Sequence, residues 1–347
     1  MNRLFLLLAA LGLLLAPVSA QFVSIRLVTY DSFSVSEGVL EAFTAETGIV
    51  VELVRLADAG ATVNQVILTR DNPLGDVLYG IDNTFLSRGL KAEIFDAYES
   101  PLLSAIPDAF KIDPEFNVTP VAYGDVCLNY DVSYFEENDL NIPASLEDLT
   151  LPEYNGLLVV ENPATSSPGL AFLMATIAYF AESETMTWEE YWAQLVQNDV
   201  LVVEGWTEAY YGEFSGASED GDRPLVVSYA SSPPAEVYFA EPAPETAPTA
   251  AIAADGMCFR QIEFAGILAG TTHRGEAEQL IDFLLGIAFQ EDLPLQMFVF
   301  PVSPDAALPD VFSEYAVLPE NPATLPADEI ESNREDWIQT WTEIVLR

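Results

Sequence analysis

Apolar and polar positions along this chain fall into short blocks that switch between the strand period of two and the helical period of 3.6. Residues 25–29 (IRLVT) read as a strand, 37–47 as an amphipathic helix and 49–55 (IVVELVR) as a second strand. A helix over 62–69 and a strand over 76–79 complete a βαβαβ unit. The same alternation returns as a strand at 157–160, helices at 169–181 and 188–197, and strands at 200–203 and 225–229. This is the pattern of α/β architecture with mostly parallel sheets flanked by helices. Two β-rich segments, VTPVAYGDVCLNY (118–130) and MCFRQIEF (257–264), are read as a pair of hinge strands crossing between two lobes.

Length supports two lobes, because 347 residues, half of them apolar, exceed what one core usually serves. The expected division is 21–122 with 260–304 for the first lobe and 123–259 for the second, followed by a helical segment over 305–347 that packs on both. Within that segment Trp337, Ile338, Trp341 and Ile344 recur at helical spacing and are read as core packing.

The N-terminus has the features of a secretion signal. Arg3 precedes an apolar run over 4–16, and Val18-Ser19-Ala20 fits a small-x-small cleavage site, so residues 1–20 are expected to be removed and the mature chain to begin near Gln21. That run is shorter than the roughly 20 residues of a membrane span. An extracytoplasmic or periplasmic protein is expected.

An exported chain can keep a disulfide, and the two cysteines, Cys127 and Cys258, lie one in each expected hinge strand. If those strands are neighbours, the Cα atoms fall within bonding reach of about 4.4–6.8 Å. A Cys127–Cys258 bond is the expectation.

Charge changes the picture of partners. With 55 acidic residues against 12 basic ones, the net charge is −43. Such a field repels nucleic acid and anionic lipid and favours cationic ligands. The acids are spread along the whole chain, so most are read as solvated surface.

In open α/β sheets a ligand sits beyond the carboxyl ends of the strands. The residues at those places are Tyr30 and Asp31, Asp82 and Asn83, Trp206, and Tyr229 with Ser231 and Ser232. The segment ENPATSSPG (161–169) ends a strand and opens a helix, with Ser167 as N-cap, Pro168 at the first helical position, and free N–H groups beside Ser166 that suit an anion or another acceptor. Aromatic faces with carboxylates nearby suit a flat organic cation, each face contributing roughly 0.5–2 kcal/mol.

These residues carry a resemblance. From TYDSF (29–33) through GIDN (80–83), YGDVCLNYD (123–131), NPATSSPGL (162–170), GWTEAY (205–210) and SYASSP (228–233) to FPV (300–302), the chain resembles the thiamine-binding periplasmic proteins of bacterial ABC importers. The GWTEAY and SYASSP segments are the specific part. The resemblance implies the two-lobed type II periplasmic binding protein fold. It implies that Tyr30, Trp206 and Tyr229 enclose thiamine, and that Ser166 and Ser167 lie near its hydroxyethyl end, where a phosphorylated form places its phosphate. Asp31 or Asp82 is read as partner to the thiazolium charge. Where the resemblance implies a tryptophan near FPV, this chain has Phe298, a smaller stacking surface. The implied partners are an ABC permease and its ATPase, which the ligand-closed protein reaches as a monomer.

Two other readings bear on the same residues. Adjacent Tyr210 and Tyr211 are hard oxygen donors of the kind that ferric-ion binders use on this fold. Catalysis has no support: with one histidine, His273, and two hinge cysteines, no nucleophile and base stand at a useful spacing. No cofactor is expected, and in the main reading no metal.

Overall fold

The first strand, β1 (Val23–Thr29), begins with alternating burial and ends wholly buried, as a strand does when it enters the middle of a parallel sheet. In the computed structural model, which describes residues 23–347, it is followed by α1 (Glu37–Thr47), β2 (Ile49–Arg55), α2 (Ala59–Leu68) and β3 (Val77–Asp82). The signal segment expected at 1–20 and the start at Gln21 lie outside the described residues. Helix α1 stops at Gly48, whose φ of 74° is the left-handed cap that glycine adopts without strain, and its N–H bonds Thr44 O at 2.8 Å.

After α3 (Leu86–Lys91) and the short β4 (Phe95–Asp96), the long strand β5 (Thr119–Asp131) runs into α4 (Val132–Glu137). Next come β6 (Leu158–Glu161), α5 (Ser167–Phe180), α6 (Trp188–Gln197), β7 (Leu201–Val203) and α7 (Trp206–Glu208), which continues as a π-helical turn over Ala209–Glu213. The strand β8 (Leu225–Tyr229), helix α8 (Pro234–Tyr238), β9 (Thr249–Ile252), β10 (Phe259–Leu268) and α9 (Arg274–Leu285) follow.

The strands form one sheet in the order β2-β1-β3-β10-β5-β8-β6-β7. Its two ends are parallel, β2-β1-β3 on one side and β8-β6-β7 on the other. At the centre β10 runs antiparallel to both β3 and β5, and β5 antiparallel to β8. The expected hinge strands are therefore β5 and β10, hydrogen-bonded side by side between the two parallel ends. This is a two-lobed α/β fold.

Helices cover the sheet according to their patterns. All of α5 except Ala178 and Tyr179 is buried, as an almost uniformly apolar helix must be. Against it α6 starts with a reciprocal capping box between Thr187 and Glu190, and its Trp192 donates to Thr176 Oγ1 of α5 at 3.0 Å. The C-terminal helix, Ala327–Val345, buries Trp341 edge-on to Trp192 at 5.5 Å, while Trp337, Ile338 and Ile344 pack on the same core. Its Arg334 reaches the other way to Thr84 O and Ser87 Oγ, at 3.1 and 2.9 Å, beside α3.

Several expected boundaries shift. Helix α2 starts at Ala59 rather than 62, and β3 runs on to Asp82, so Asp82 closes the strand instead of following it. Cys258 sits one residue before β10. The disulfide to Cys127 is present, with the Cα atoms 4.4 Å apart. The first cap of α5 is Ser166, not Ser167: Ser166 Oγ accepts from Gly169 N–H at 3.4 Å, which moves Ser167 and Pro168 into the first turn.

Candidate functional site

At the carboxyl ends of β1 and β3, and against the two crossing strands, lies a cavity of about 430 Å³. That is within the usual range for small-molecule sites, roughly 300–1,000 Å³. Tyr30, Asp31, Asp58 and Asp82 line it from the first parallel end of the sheet, and Ser167, Trp206, Tyr210, Tyr211 and Tyr229 from the second. Tyr123, Gln261 and Glu263 line it from the crossing strands. Phe239 and Phe298 stand together at its edge, ring centres 5.6 Å apart.

The aromatic wall is held from behind. Trp206 stacks on Tyr210 with ring centres 5.0 Å apart and 17° between planes, and its indole N–H donates to Ser228 Oγ at 2.9 Å. Tyr30 OH donates to Glu263 Oε1 at 2.7 Å, and Tyr229 OH to Gln261 Oε1 at 2.6 Å. The Gln261 amide then donates to Asp82 Oδ2 at 2.8 Å and to Ser167 Oγ at 2.7 Å. One chain of hydrogen bonds thus links Tyr229, Gln261, Asp82 and Ser167. Asp82 Oδ1 is filled by the N–H and hydroxyl of Thr84, at 2.6 and 2.5 Å.

The cavity carboxylates are costly to ionise. Burial pushes Asp82 up to about 6 against the bonds from Thr84 and Gln261, and Asp58 up to about 6 against those from Trp206 and Ser167. Burial likewise raises Glu263 to about 7, offset in part by the Tyr30 and Tyr79 hydroxyls. At the end of β6, burial and then the Asp58 charge push Glu161 well above the usual carboxylate range, and neither of its oxygens has a hydrogen-bond partner. Aromatic rings beside desolvated acids are an arrangement that can hold a cation, whose charge offsets the cost of ionising the acids.

The sequence matches a known family. Residues 72–321 match the family described as bacterial extracellular solute-binding protein. The chain belongs to that family.

Similarity to particular members extends this. The solute-binding protein is 28% identical to the thiamine-binding periplasmic protein of Escherichia coli (strain K12) over 341 residues, covering 96% of each chain. To the thiamine-binding periplasmic protein of Salmonella typhimurium it is 29% identical over 338 residues, again with 96% of each chain. Among solved structures, a periplasmic thiamin binding protein superposes with a TM-score of 0.79 at 26% identity, covering 93% of this chain and 96% of that one. The fold is therefore the type II periplasmic binding protein fold. A ferric binding protein from Campylobacter jejuni shares it at a TM-score of 0.71 over 92% of this chain and 99% of that one, but at 16% identity that likeness extends to the fold alone.

Of the residues singled out from the sequence, Tyr30, Asp31, Asp82, Ser167, Trp206, Tyr229, Ser232 and Phe298 line the cavity of the solute-binding protein. Three do not, because their polar atoms serve the wall itself. Asn83 bridges Arg260 O and Ile262 N–H, at 3.1 and 2.9 Å. Ser166 caps α5, and Ser231 Oγ donates to Phe298 O at 2.7 Å. The iron reading of the tyrosine pair meets the same obstacle: Tyr210 OH donates to Glu236 at 3.0 Å, and burial raises its pKa far above the phenol range. Tyr211 stands edge-on to it at 84°. Among the described residues, no cluster of three or more His, Cys, Asp or Glu can hold a metal.

Sequence reasoning passed over Asp58, Tyr123, Gln261 and Glu263. A signal for the last two was present: in FRQIEF the polar residues 261 and 263 fall on one face of the strand. Asp58 gave none, since an Asp before a helix reads as an ordinary cap.

Proposed function

We propose that this protein captures thiamine between its lobes and delivers it to an ABC permease driven by an ATPase. The observation that carries the reading is that Tyr30, Trp206 and Tyr229 line one cavity together with the acids Asp58, Asp82 and Glu263. The similarity to thiamine-binding periplasmic proteins along nearly the whole chain supports the same ligand. The thiazolium ring carries a fixed positive charge and the aminopyrimidine is a flat donor and acceptor; aromatic faces and carboxylates answer both. Two or three faces supply at most ~6 kcal/mol and nanomolar binding needs about 12, so hydrogen bonds and apolar burial contribute the rest.

In this reading residues 1–20 export the chain, the lobes comprise 21–122 with 260–304 and 123–259, and the monomer closes about β5 and β10. A ligand bridging the lobes shifts the population by its differential affinity for the closed form. The protein turns nothing over, and thiamine phosphates incubated with it are expected to remain intact. A phosphate at the start of α5 shares that place with Asp58, which already accepts the Ser167 N–H at 3.2 Å.

Isothermal titration of ligand-stripped, refolded protein with thiamine tests the reading, and a one-to-one sub-micromolar isotherm is expected. Trp206→Ala removes one ring face and a large apolar contact, and is expected to weaken binding at least tenfold, equivalent to about 1.4 kcal/mol. An unchanged affinity places the ligand elsewhere. No heat from wild type leaves the fold without this ligand, and a visible tyrosinate-to-iron absorption band on ferric addition turns the reading to iron.

A further inference from the structure

Asp58 stands in the N-cap position of α2 yet caps nothing: its carboxylate makes no bond to that helix. Both oxygens cross the cleft instead. Oδ1 accepts the Ser167 N–H at 3.2 Å and Oδ2 the Trp206 N–H at 2.8 Å, on residues 109 and 148 positions away. These N–H groups open α5 and α7, where no earlier turn supplies an acceptor. A residue type that normally closes its own helix is spent on two helix starts of the opposite lobe.

The seam around it is close-packed. Ala61 N–H bonds Thr165 O at 2.8 Å across the same gap. A Cβ added at Gly60 would lie 2.7 Å from Thr165 O, and one at Gly205 would lie 3.2 Å from both Cβ and Oδ2 of Asp58. Two glycines therefore let the segments meet, one on each side. Gly205 immediately precedes Trp206, whose backbone is held by Asp58 and whose indole is held by Ser228. The carboxylate and the ring share one rigid joint.

We propose that Asp58 is a positioning residue of ligand capture, a clasp that fastens one lobe to the other and, through the Trp206 N–H, sets the indole into the cavity wall. Its link to thiamine rests on the proposed function, but the clasp has a readout of its own. With Asp58 as their partner, the Ser167 and Trp206 amides of the ligand-free protein are protected from hydrogen exchange.

The test compares wild type with Asp58→Ala, Asp58→Asn and Gly205→Leu. In Asp58→Ala the two amides are expected to exchange at least tenfold faster, thiamine to bind at least tenfold more weakly, and small-angle scattering of the ligand-free protein to show a wider radius than wild type. Asp58→Asn, which retains one acceptor oxygen, should fall between it and wild type. Gly205→Leu, which wedges the seam while leaving the carboxylate in place, should reproduce the wider radius. Unchanged exchange at Ser167 and Trp206 overturns the clasp. So does faster exchange accompanied by wild-type affinity and normal closure, because Asp58 then serves only local structure. Wild type that bound no thiamine would refute the ligand instead, and the exchange rates alone would then decide the clasp.

Discussion

The double variant Cys127→Ala, Cys258→Ala is expected to melt below the wild type by up to about 10 °C. The cysteines join β5 to the start of β10 beside the ladder pair Val126 and Phe259, so the bond adds a covalent rung at the centre of the sheet. It links residues 131 positions apart, and closing a loop of that length restricts the unfolded chain by up to about 5 kcal/mol in the chain-entropy model. For a chain of this size each kcal/mol moves the midpoint by roughly 2 °C. Both cysteines are fully buried among Ala230, Ala251 and Ala253, so alanine substitution removes little else. Scanning calorimetry reads the shift. An unchanged midpoint means that the hydrogen-bonded ladder alone accounts for the stability of the hinge.

Thiamine affinity is expected to fall by roughly tenfold per pH unit below 7, as long as one cavity carboxylate has to lose a proton for the cation to bind. The groups concerned are Glu263, raised by burial to about 7, and Asp82 and Asp58, raised by burial to about 6. A bound cation favours their ionised forms, so binding near neutral pH releases protons. Titration in buffers of different ionisation enthalpy detects that release directly.

The stability of the ligand-free protein runs the other way. A carboxylate raised in the folded state contributes stability that is fully present below its unfolded pKa, near 4, and is lost as pH rises through about 6 to 7. Between pH 7.5 and 5.5 the melting temperature should therefore rise while affinity falls. The net charge of −43 reinforces the first trend, since protonation relieves self-repulsion. Affinity independent of pH across that range would remove the cavity acids from recognition.

Legibility differed by residue. Tyr30, Trp206 and Tyr229 could be placed at the cavity because each follows or ends a strand whose period was plain, and a parallel sheet presents such positions on one side. The Cys127–Cys258 bond was legible from two strand-like segments in a chain read as exported. Ser166 and Ser167 were harder: in a run of two serines and a proline, cap identity turns on one residue of helix start, and the structure gives the cap to Ser166. Tyr210 offered a phenol to metal in the sequence, but its hydroxyl is spent on Glu236, a residue 26 positions away that no local pattern connects to it.

The sequence by itself determined most strands and helices of the two parallel ends, the two crossing segments, the acidic field and the aromatic residues at strand ends, because periodicity, composition and spacing are local properties. Only the tertiary structure decided which polar atoms serve the wall and which face the cavity. Tyr30 meets Glu263 across 233 residues, Gln261 meets Asp82 across 179, and Asp58 meets Trp206 across 148. The physical reason is that most buried polar groups leave water only where a partner is waiting, and for these three pairs the partner arrives from the opposite lobe or the crossing strands.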